Sequence, residues 1–369
     1  MNEMQTLRPL WRELKKSGEE FVLATVVAVE GSGYRKAGAR LLIANDGRRA
    51  GTISGGCLEA EVAKKALWHT ENGPVVRSYS TRAEDGDVPF GMGCGGVVHV
   101  LLERRETAEP LLEAMERAYA LRLGMAVATR VSGDRLGERS WRWLNERGQA
   151  DYAGSECAEL RARVDETQTR KRSESTDAVF AEWMAARTGL LIVGAGNDTR
   201  PLARVAHELG WEVTVMDGRS HLATRERFPE ADAVLPLNEQ ALRELKLRAT
   251  DAAALMSHSL EQDRMALGEL LGRELAYLGV LGPRARTAEM VMELAQEEAR
   301  GDEAARRLAA EWMARLHAPM GLELGGDGAE AVALSVLAEM QKTLNAGSGR
   351  ALREVRGDVG TQAFAAARA

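Results

Sequence analysis

The sequence is short of cysteine, with three in 369 residues: Cys57, Cys94 and Cys157. None belongs to a CxxC pair, and so sparse a set is no disulfide framework. A reducing compartment suits it, and any disulfide would be regulatory rather than structural. No apolar run approaches bilayer-spanning length. The opening stretch MNEMQTLRPLWRELKKSGEE has the pattern of an amphipathic polar helix without the apolar core of a secretion signal. A soluble, cytoplasmic protein with no membrane association is expected. The six histidines lack HxH or HExxH spacing, which argues against a zinc site held by the protein. Neither GxSxG nor GKS/GKT occurs, so nothing points to a hydrolase elbow or a P-loop. Charge of one sign is also missing: 49 Lys and Arg stand against 55 Asp and Glu, and a net charge of -6 leaves no broad footprint for nucleic acid.

What is present falls into two domains, as the length suggests. Residues 1–150 mix strands and helices. FVLATVVAV is a β-branched strand, ARLLIANDGRRAGTI alternates around a hairpin turn at Asn45-Asp46-Gly47, LEAEVAKKALWHTE has helical period, and VVRSYST and GGVVHVLLE return to strand. Residues 151–187 are charged and weakly periodic, and are read as a connector that could hold a helix. Residues 188–345 open with GLLIVGAGNDTRPLARVAHELGWEVTVMDGR, which is strand, glycine turn, helix and second strand ending in an acid. That is the βαβ unit of a Rossmann-like, doubly wound parallel sheet, so the fold class is α/β. Gly194 permits the tight turn, Gly196 lets backbone approach a phosphate, and Asp217 stands where a ribose-binding acid belongs, while Thr199 replaces the third glycine. Residues 346–369 form a tail.

Two of the three thiols sit in glycine loops, TISGGCLEAEV and PFGMGCGGVVHV. If Ser54, Gly55 and Gly56 form the turn before a helix starting near Cys57, free N–H groups and the positive dipole end would attract an anion and lower the thiol pKa, with Glu59 opposing. Gly93, Cys94, Gly95 and Gly96 repeat the context. The alternative is that Cys57 and Cys94 are small buried side chains, as Cys157 is read to be. Arg35, Lys36 and Arg40 around EGSGYRKAGAR could hold phosphate or simply face water. His258 comes at the end of a sheet strand, where ligands bind in such folds, or it serves in a helix cap with Ser257 or Ser259. His317 could be a turn residue beside Pro319.

EGSGYRKAGARLLIANDGRRAGTISGGCLEAEV with GMGCGG, then LIVGAGNDTRPLARVAHELGWEVTVMDGR, YLGVLGPRART and HAPMGLELGGDGAEAVALSVLAEM, together closely resemble the XdhC/CoxI family over residues 20–340. The pattern departs at Gly33-Tyr34, where Ser-Pro is common, and at Ala329, where proline is frequent. The resemblance implies a maturation factor that binds molybdenum cofactor, as molybdopterin or its dinucleotide form. It would protect the cofactor, assist its sulfuration with a cysteine desulfurase, and insert it into a xanthine dehydrogenase, aldehyde oxidase or CO dehydrogenase type client; a homo-oligomer is expected. In that reading Gly55, Gly56, Gly93, Gly95 and Gly96 supply N–H groups, and Cys57 and Cys94 make transient molybdenum contact from neighbouring positions. The second domain adds a nucleotide or NAD(P) site. An NAD(P)-dependent oxidoreductase using Gly194, Gly196, Asp217 and His258 is the alternative, and a thiol switch between Cys57 and Cys94 is another.

Overall fold

The computed structural model describes residues 2–31, 34–80, 96–144 and 152–355. The chain divides into two compact units, Met1–Arg187 and Thr188–Ala369. Unit 1 begins with α1 (Asn2–Ser17), whose Met4, Leu7, Trp11 and Leu14 recur at helical spacing and are all buried. Then come β1 (Phe21–Glu30), β2 (Arg40–Ala44), β3 (Arg49–Gly51), α2 (Cys57–His69), β4 (Val75–Ser80) and β5 (Val97–Arg104). The expected hairpin at Asn45-Asp46-Gly47 joins β2 to β3: Gly47 has φ 91°, and Asp46 Oδ1 accepts the Arg48 N–H at 3.0 Å. After α3 (Arg105–Ala120) the chain forms β6 (Gly124–Arg130), β7 (Arg139–Leu144), β8 (Tyr152–Gly154), α4 (Ala158–Arg170), β9 (Glu174–Ser175) and β10 (Val179–Met184). Residues 151–187, read as a connector, therefore supply three strands and a helix to a second sheet. Their periodicity is weak because α4 buries only Leu160, Val164 and Thr167.

The two sheets have one topology. Their strand orders are β3-β2-β1-β5-β4 and β8-β7-β6-β10-β9, every pairing antiparallel. The registers also match. Thr25 faces Arg40 as Thr129 faces Arg139, Leu41 faces Gly51 as Ser140 faces Gly154, and Glu103 and Glu182 stand on the strand beyond, opposite Leu23 and Val127. Each module sends its arginine into the other. Arg40 Nη2 meets Glu182 Oε2 at 2.5 Å, and Arg139 Nη2 meets Glu103 Oε2 at 2.6 Å, with all four side chains buried. Gly38 and Gly137, two residues before the arginines, have φ 97° and 80°, and a Cβ on either would lie 2.6 or 2.7 Å from the incoming glutamate's Oε1. Both positions need glycine, for backbone angle and for close approach.

Helices α2 and α4 cover one face each of sheets one and two, Leu58, Val62 and Ala66 packing on Val22, Ala24 and Val26, and Leu160 and Val164 on Ala126 and Ala128. A larger core gathers α1, α3 and residues of both sheets around Trp11, Phe21, Met115 and Trp141.

Unit 2 runs β11 (Gly189–Val193), α5 (Thr199–Glu208), β12 (Glu212–Asp217), β13 (Ala233–Pro236), α6 (Glu239–Glu244), β14 (Ala252–Leu255), α7 (Leu260–Leu271), β15 (Tyr277–Val280), α8 (Arg284–Glu298), α9 (Asp302–Arg315), α10 (Ala329–Leu344) and α11 (Leu352–Val355). The sheet is wholly parallel in the order β13-β12-β11-β14-β15. Strands β11, β14 and β15 are buried on both faces and read as continuous apolar runs, while the edge strand β13 is half-buried. Leu190 and Ile192 face α5 and α10, whereas Leu191 and Val193 face the layer of α6, α7, α8 and α9. The order reverses between β11 and β14, which opens the ligand crevice of a Rossmann sheet above their carboxyl ends. Among the described residues no helix is long and apolar enough to cross a membrane.

Candidate functional site

The glycine turn of the first module links β3 to α2. Gly56, the residue before the helix, has φ 116°, and Gly55 and Gly56 are both exposed. The turn is tied from beneath by Glu59, whose side chain reaches back from the first helical turn. Glu59 Oε1 accepts the N–H groups of Ile53 at 3.0 Å and Ser54 at 2.8 Å and meets the Thr52 hydroxyl, while Oε2 accepts the Ser54 hydroxyl at 2.6 Å. Burial raises the pKa of this carboxyl, but the bonds from Ser54 and Thr52 outweigh it and bring it down to about 2. Ser54 Oγ in turn accepts the N–H groups of Leu58 at 3.2 Å and Gly56 at 3.3 Å. The N–H of Gly55 is left on the exposed rim without a partner among the described residues. Cys57 is the first residue of α2, at the positive end of the helix. Tyr34, 71% exposed, lays its ring beside Gly55, 3.7 Å from where a Cβ would stand. Neither Tyr34 nor the anchoring by Glu59 was read from the sequence. The Glu59 spacing signalled a helix start, but its four partners depend on how the turn folds.

Of the basic residues expected to hold phosphate, Arg40 and Arg35 are paired inside unit 1, while Lys36 is exposed. Arg40 is fully buried on Glu182, and its own N–H donates to Glu3 Oε2 at 3.1 Å. Burial opposes its charge, yet Glu182 more than compensates and the pKa rises. Arg35 pairs with Glu3 of α1. Arg40 is thus structural, a correction that the local sequence could not supply because its partner lies on a distant element, whereas Arg35 keeps about a third of its side chain exposed. Gly93, Cys94 and Gly95 lie outside the described residues, and Gly96 is buried just before β5. Cys157, at the start of α4, is half-buried against the α4 core and receives Arg130 Nη2 at 3.5 Å. Among the described residues no group of three or more His, Cys, Asp or Glu could hold a metal ion.

In unit 2 the crevice is built around the turn 194–198. Gly194 has φ 122°, and a Cβ there would overlap the backbone of Met256 and Ser257. Asp217 lies at the end of β12 as expected, but it is wholly buried and points inward. Oδ2 accepts the Ala195 N–H at 2.7 Å and Arg219 Nη2 at 2.7 Å, and Oδ1 accepts the Arg219 N–H at 2.8 Å and Nε at 2.9 Å. Burial raises its pKa, and the bonds from Arg219 and Ala195 lower it further than burial lifts it. Asp217 thus fixes the turn, and no lone pair is left for a ribose hydroxyl; the expected ribose contact is corrected on that ground. His258 has φ 58° and is exposed, with Nε2 2.8 Å from Asp198 Oδ2. The cap of α7 is Ser259, which accepts the Gln262 N–H. Arg227 Nη2 donates to Asn197 Oδ1 at 2.9 Å and to the Ala195 carbonyl at 3.3 Å. His317 is part of a separate cluster. Its Nδ1 lies 3.0 Å from Glu339 Oε1 and its ring stacks on Tyr277, while Glu339 Oε2 accepts the Tyr277 hydroxyl at 2.7 Å and the Gly321 N–H at 2.7 Å.

A duplicated antiparallel module with an open glycine–thiol turn, followed by a Rossmann unit, defines a two-part α/β protein in which the turns carry the candidate chemistry. The XdhC Rossmann domain model matches residues 190–340, and the XdhC and CoxI family model matches residues 14–80. The chain is 32% identical over 336 residues to a probable xanthine dehydrogenase subunit of Bacillus subtilis, covering 89% of this chain and 95% of that protein. It is 36% identical over 107 residues to the molybdenum cofactor insertion chaperone PaoD of Escherichia coli, 28% of this chain and 33% of PaoD. A crystal structure of a xanthine dehydrogenase from Bacillus halodurans is similar with a TM-score of 0.71 and 27% identity, covering 96% of this chain and 98% of the other. The chain belongs to the XdhC and CoxI family.

Proposed function

We propose that the protein is a maturation factor for a xanthine dehydrogenase-type molybdoenzyme, which takes molybdenum cofactor as cargo at the turn 54–57 and passes it to its client. The observation that carries this is the turn itself. It has two exposed glycines and a Gly55 N–H with no partner among the described residues, and it opens onto a helix whose first residue is a cysteine, within the stretch matched by the family model. PaoD and the Bacillus subtilis relative supply the class of cargo and client by their names.

The cargo brings a soft dithiolene-bound metal, a flat pterin and a phosphate-bearing end. A thiolate at a helix amino terminus is a soft donor kept reactive by the dipole. The flat exposed face of Tyr34 stands beside the turn for a heteroaromatic ring to lie against. Because Arg40 and Arg35 are committed elsewhere, the turn offers the cargo one peptide N–H and a dipole rather than a full cationic clamp. Modest holding suits a protein that must release what it carries. The loop at 93–96, with Cys94, completes the site in this proposal, and sulfuration with a cysteine desulfurase and self-association belong to it as finer expectations. A nucleotide or NAD(P) at the Rossmann unit belongs to the same finer expectations.

Expression where molybdenum cofactor is made, anaerobic purification, and analysis of bound metal and pterin test the reading; metal and pterin in equal amounts are expected, and their absence would remove it. A second test separates carrier from enzyme. Loaded protein mixed with excess apo-client should activate it in proportion to the cargo supplied and then stop, whereas activation well beyond one equivalent without further cofactor would contradict delivery. Steady turnover of NAD(P)H with a small substrate would favour the oxidoreductase.

A further inference from the structure

In a dinucleotide-binding turn the second glycine exists so that a pyrophosphate can approach the backbone at the helix amino terminus. Here the space beside Gly196 is already filled. A Cβ at Gly196 would lie 2.5 Å from Asp198 Oδ1 and 3.8 Å from the His258 ring, so the Asp198 carboxylate lies over the glycine that should receive phosphate. Asp198 is also the residue before α5, yet its side chain makes no capping bond to the helix. Its other oxygen is held by His258 Nε2 at 2.8 Å, and His258 holds it from a left-handed backbone angle that a residue with a Cβ adopts at a cost. Two basic groups of the crevice are turned to other partners: Arg219 to Asp217 and the Ser257 carbonyl, Arg227 to Asn197 and the Ala195 carbonyl.

We infer that Asp198 is the specificity-determining residue of the Rossmann crevice. Its carboxylate, pinned by His258, occupies the phosphate seat of the turn and turns away dinucleotides and nucleoside diphosphates. The helix dipole that would stabilise a bound phosphate stabilises the chain's own anion instead. An incoming phosphate meets a like charge lying over Gly196, and it must also break the Asp198–His258 contact. The turn keeps the shape of a nucleotide site while its polarity is reversed, so what approaches it with advantage is a hydrogen-bond donor. This holds for the crevice whether or not the turn at 54–57 carries cargo.

The experiment is calorimetric titration of the full-length protein with ADP and with NAD+, using wild type, Asp198→Asn and His258→Ala, with thermal unfolding to confirm that each variant is folded. Asp198→Ser, which restores a capping hydroxyl, stands in if the asparagine variant does not fold. Wild type should show no saturable binding in the millimolar range. Asp198→Asn should gain at least tenfold in affinity for both ligands, and inorganic phosphate should compete. His258→Ala should gain less than Asp198→Asn, since it removes the pin but leaves the carboxylate beside Gly196. Tight binding by wild type that Asp198→Asn does not strengthen would overturn the inference. So would a failure of all folded variants to bind, because Asp198 would then not be what keeps phosphate out.

Discussion

The two modules of unit 1 share strand order, register and a buried arginine–glutamate exchange, but they differ where the third strand turns into the helix. In the first module the turn spans residues 52–56, carries Gly55 and Gly56, and is held from below by Glu59. In the second it spans residues 155–157 and has no glycine. Ser155 accepts the Cys157 N–H at 3.1 Å and donates to Glu138 at 2.7 Å, and the thiol packs on the α4 core beside Arg130. One scaffold thus presents one cysteine behind exposed glycines and a second, half-buried, against the core of its helix. The matched strands carry stability, and the unmatched turn carries the candidate function, which is the division expected between scaffold and loop.

The comparison breaks first at the exchanged ion pairs. Removing one partner of a buried pair strands the other charge, so Arg139→Ala, and independently Glu182→Ala, should each lower unfolding free energy in urea by about 3–5 kcal/mol, while a double variant of either pair recovers part of that loss. Equal losses at the two pairs would support the equivalence of the modules. A loss at one pair alone would make the matched register a coincidence of topology. Next in size, Gly38→Ala and Gly137→Ala should each cost about 1–3 kcal/mol, since both place a side chain at positive φ and against a carboxylate; thermal unfolding reads both.

Much of this was legible only where partners are close in sequence. The glycine turn at 194–196, its helix and β12 lie within one stretch, and the pattern of apolar runs placed the sheet. The repeat was hidden because the modules share little beyond a Gly-x-Arg step at 38–40 and 137–139 and a glycine closing β3 and β8. Helix α4, with its largely polar surface, reads as a connector until β6 and β10 are placed beneath it. Arg40 reads as an exposed phosphate ligand because Glu182, which buries it, lies on the far strand of the other module. Asp217 was placed correctly along the chain, but its direction is set by Arg219 and the Ala195 N–H, and no spacing rule gives the direction of a side chain.

A smaller effect sharpens the contrast between turns. Glu59 has a folded pKa of about 2 against an ordinary 4.5, so it stabilises the native state above about pH 4.5 and loses that contribution as the pH falls towards 2. Glu59→Gln should therefore cost about 1–2 kcal/mol near neutrality, and the gap from wild type should close on acidification in urea titrations run at several pH values. Glu159, in the first turn of α4, is exposed and bonded to Arg130, so Glu159→Gln should move stability by less than about 1 kcal/mol. A pH-independent gap at Glu59 would show that its carboxylate does not anchor the turn.

The central claim is that the open turn of the first module, and not its closed counterpart, handles the cargo. The most direct measurement compares Cys57→Ser with Cys157→Ser in full-length protein isolated from cells making molybdenum cofactor, reading bound pterin and metal and the activation of apo-client at fixed protein. Both variants should unfold near the wild-type temperature. Cys57→Ser should lose most of its bound metal and most client activation, and Cys157→Ser should keep both. Equal performance by the two variants, or loss confined to Cys157→Ser, would contradict the account.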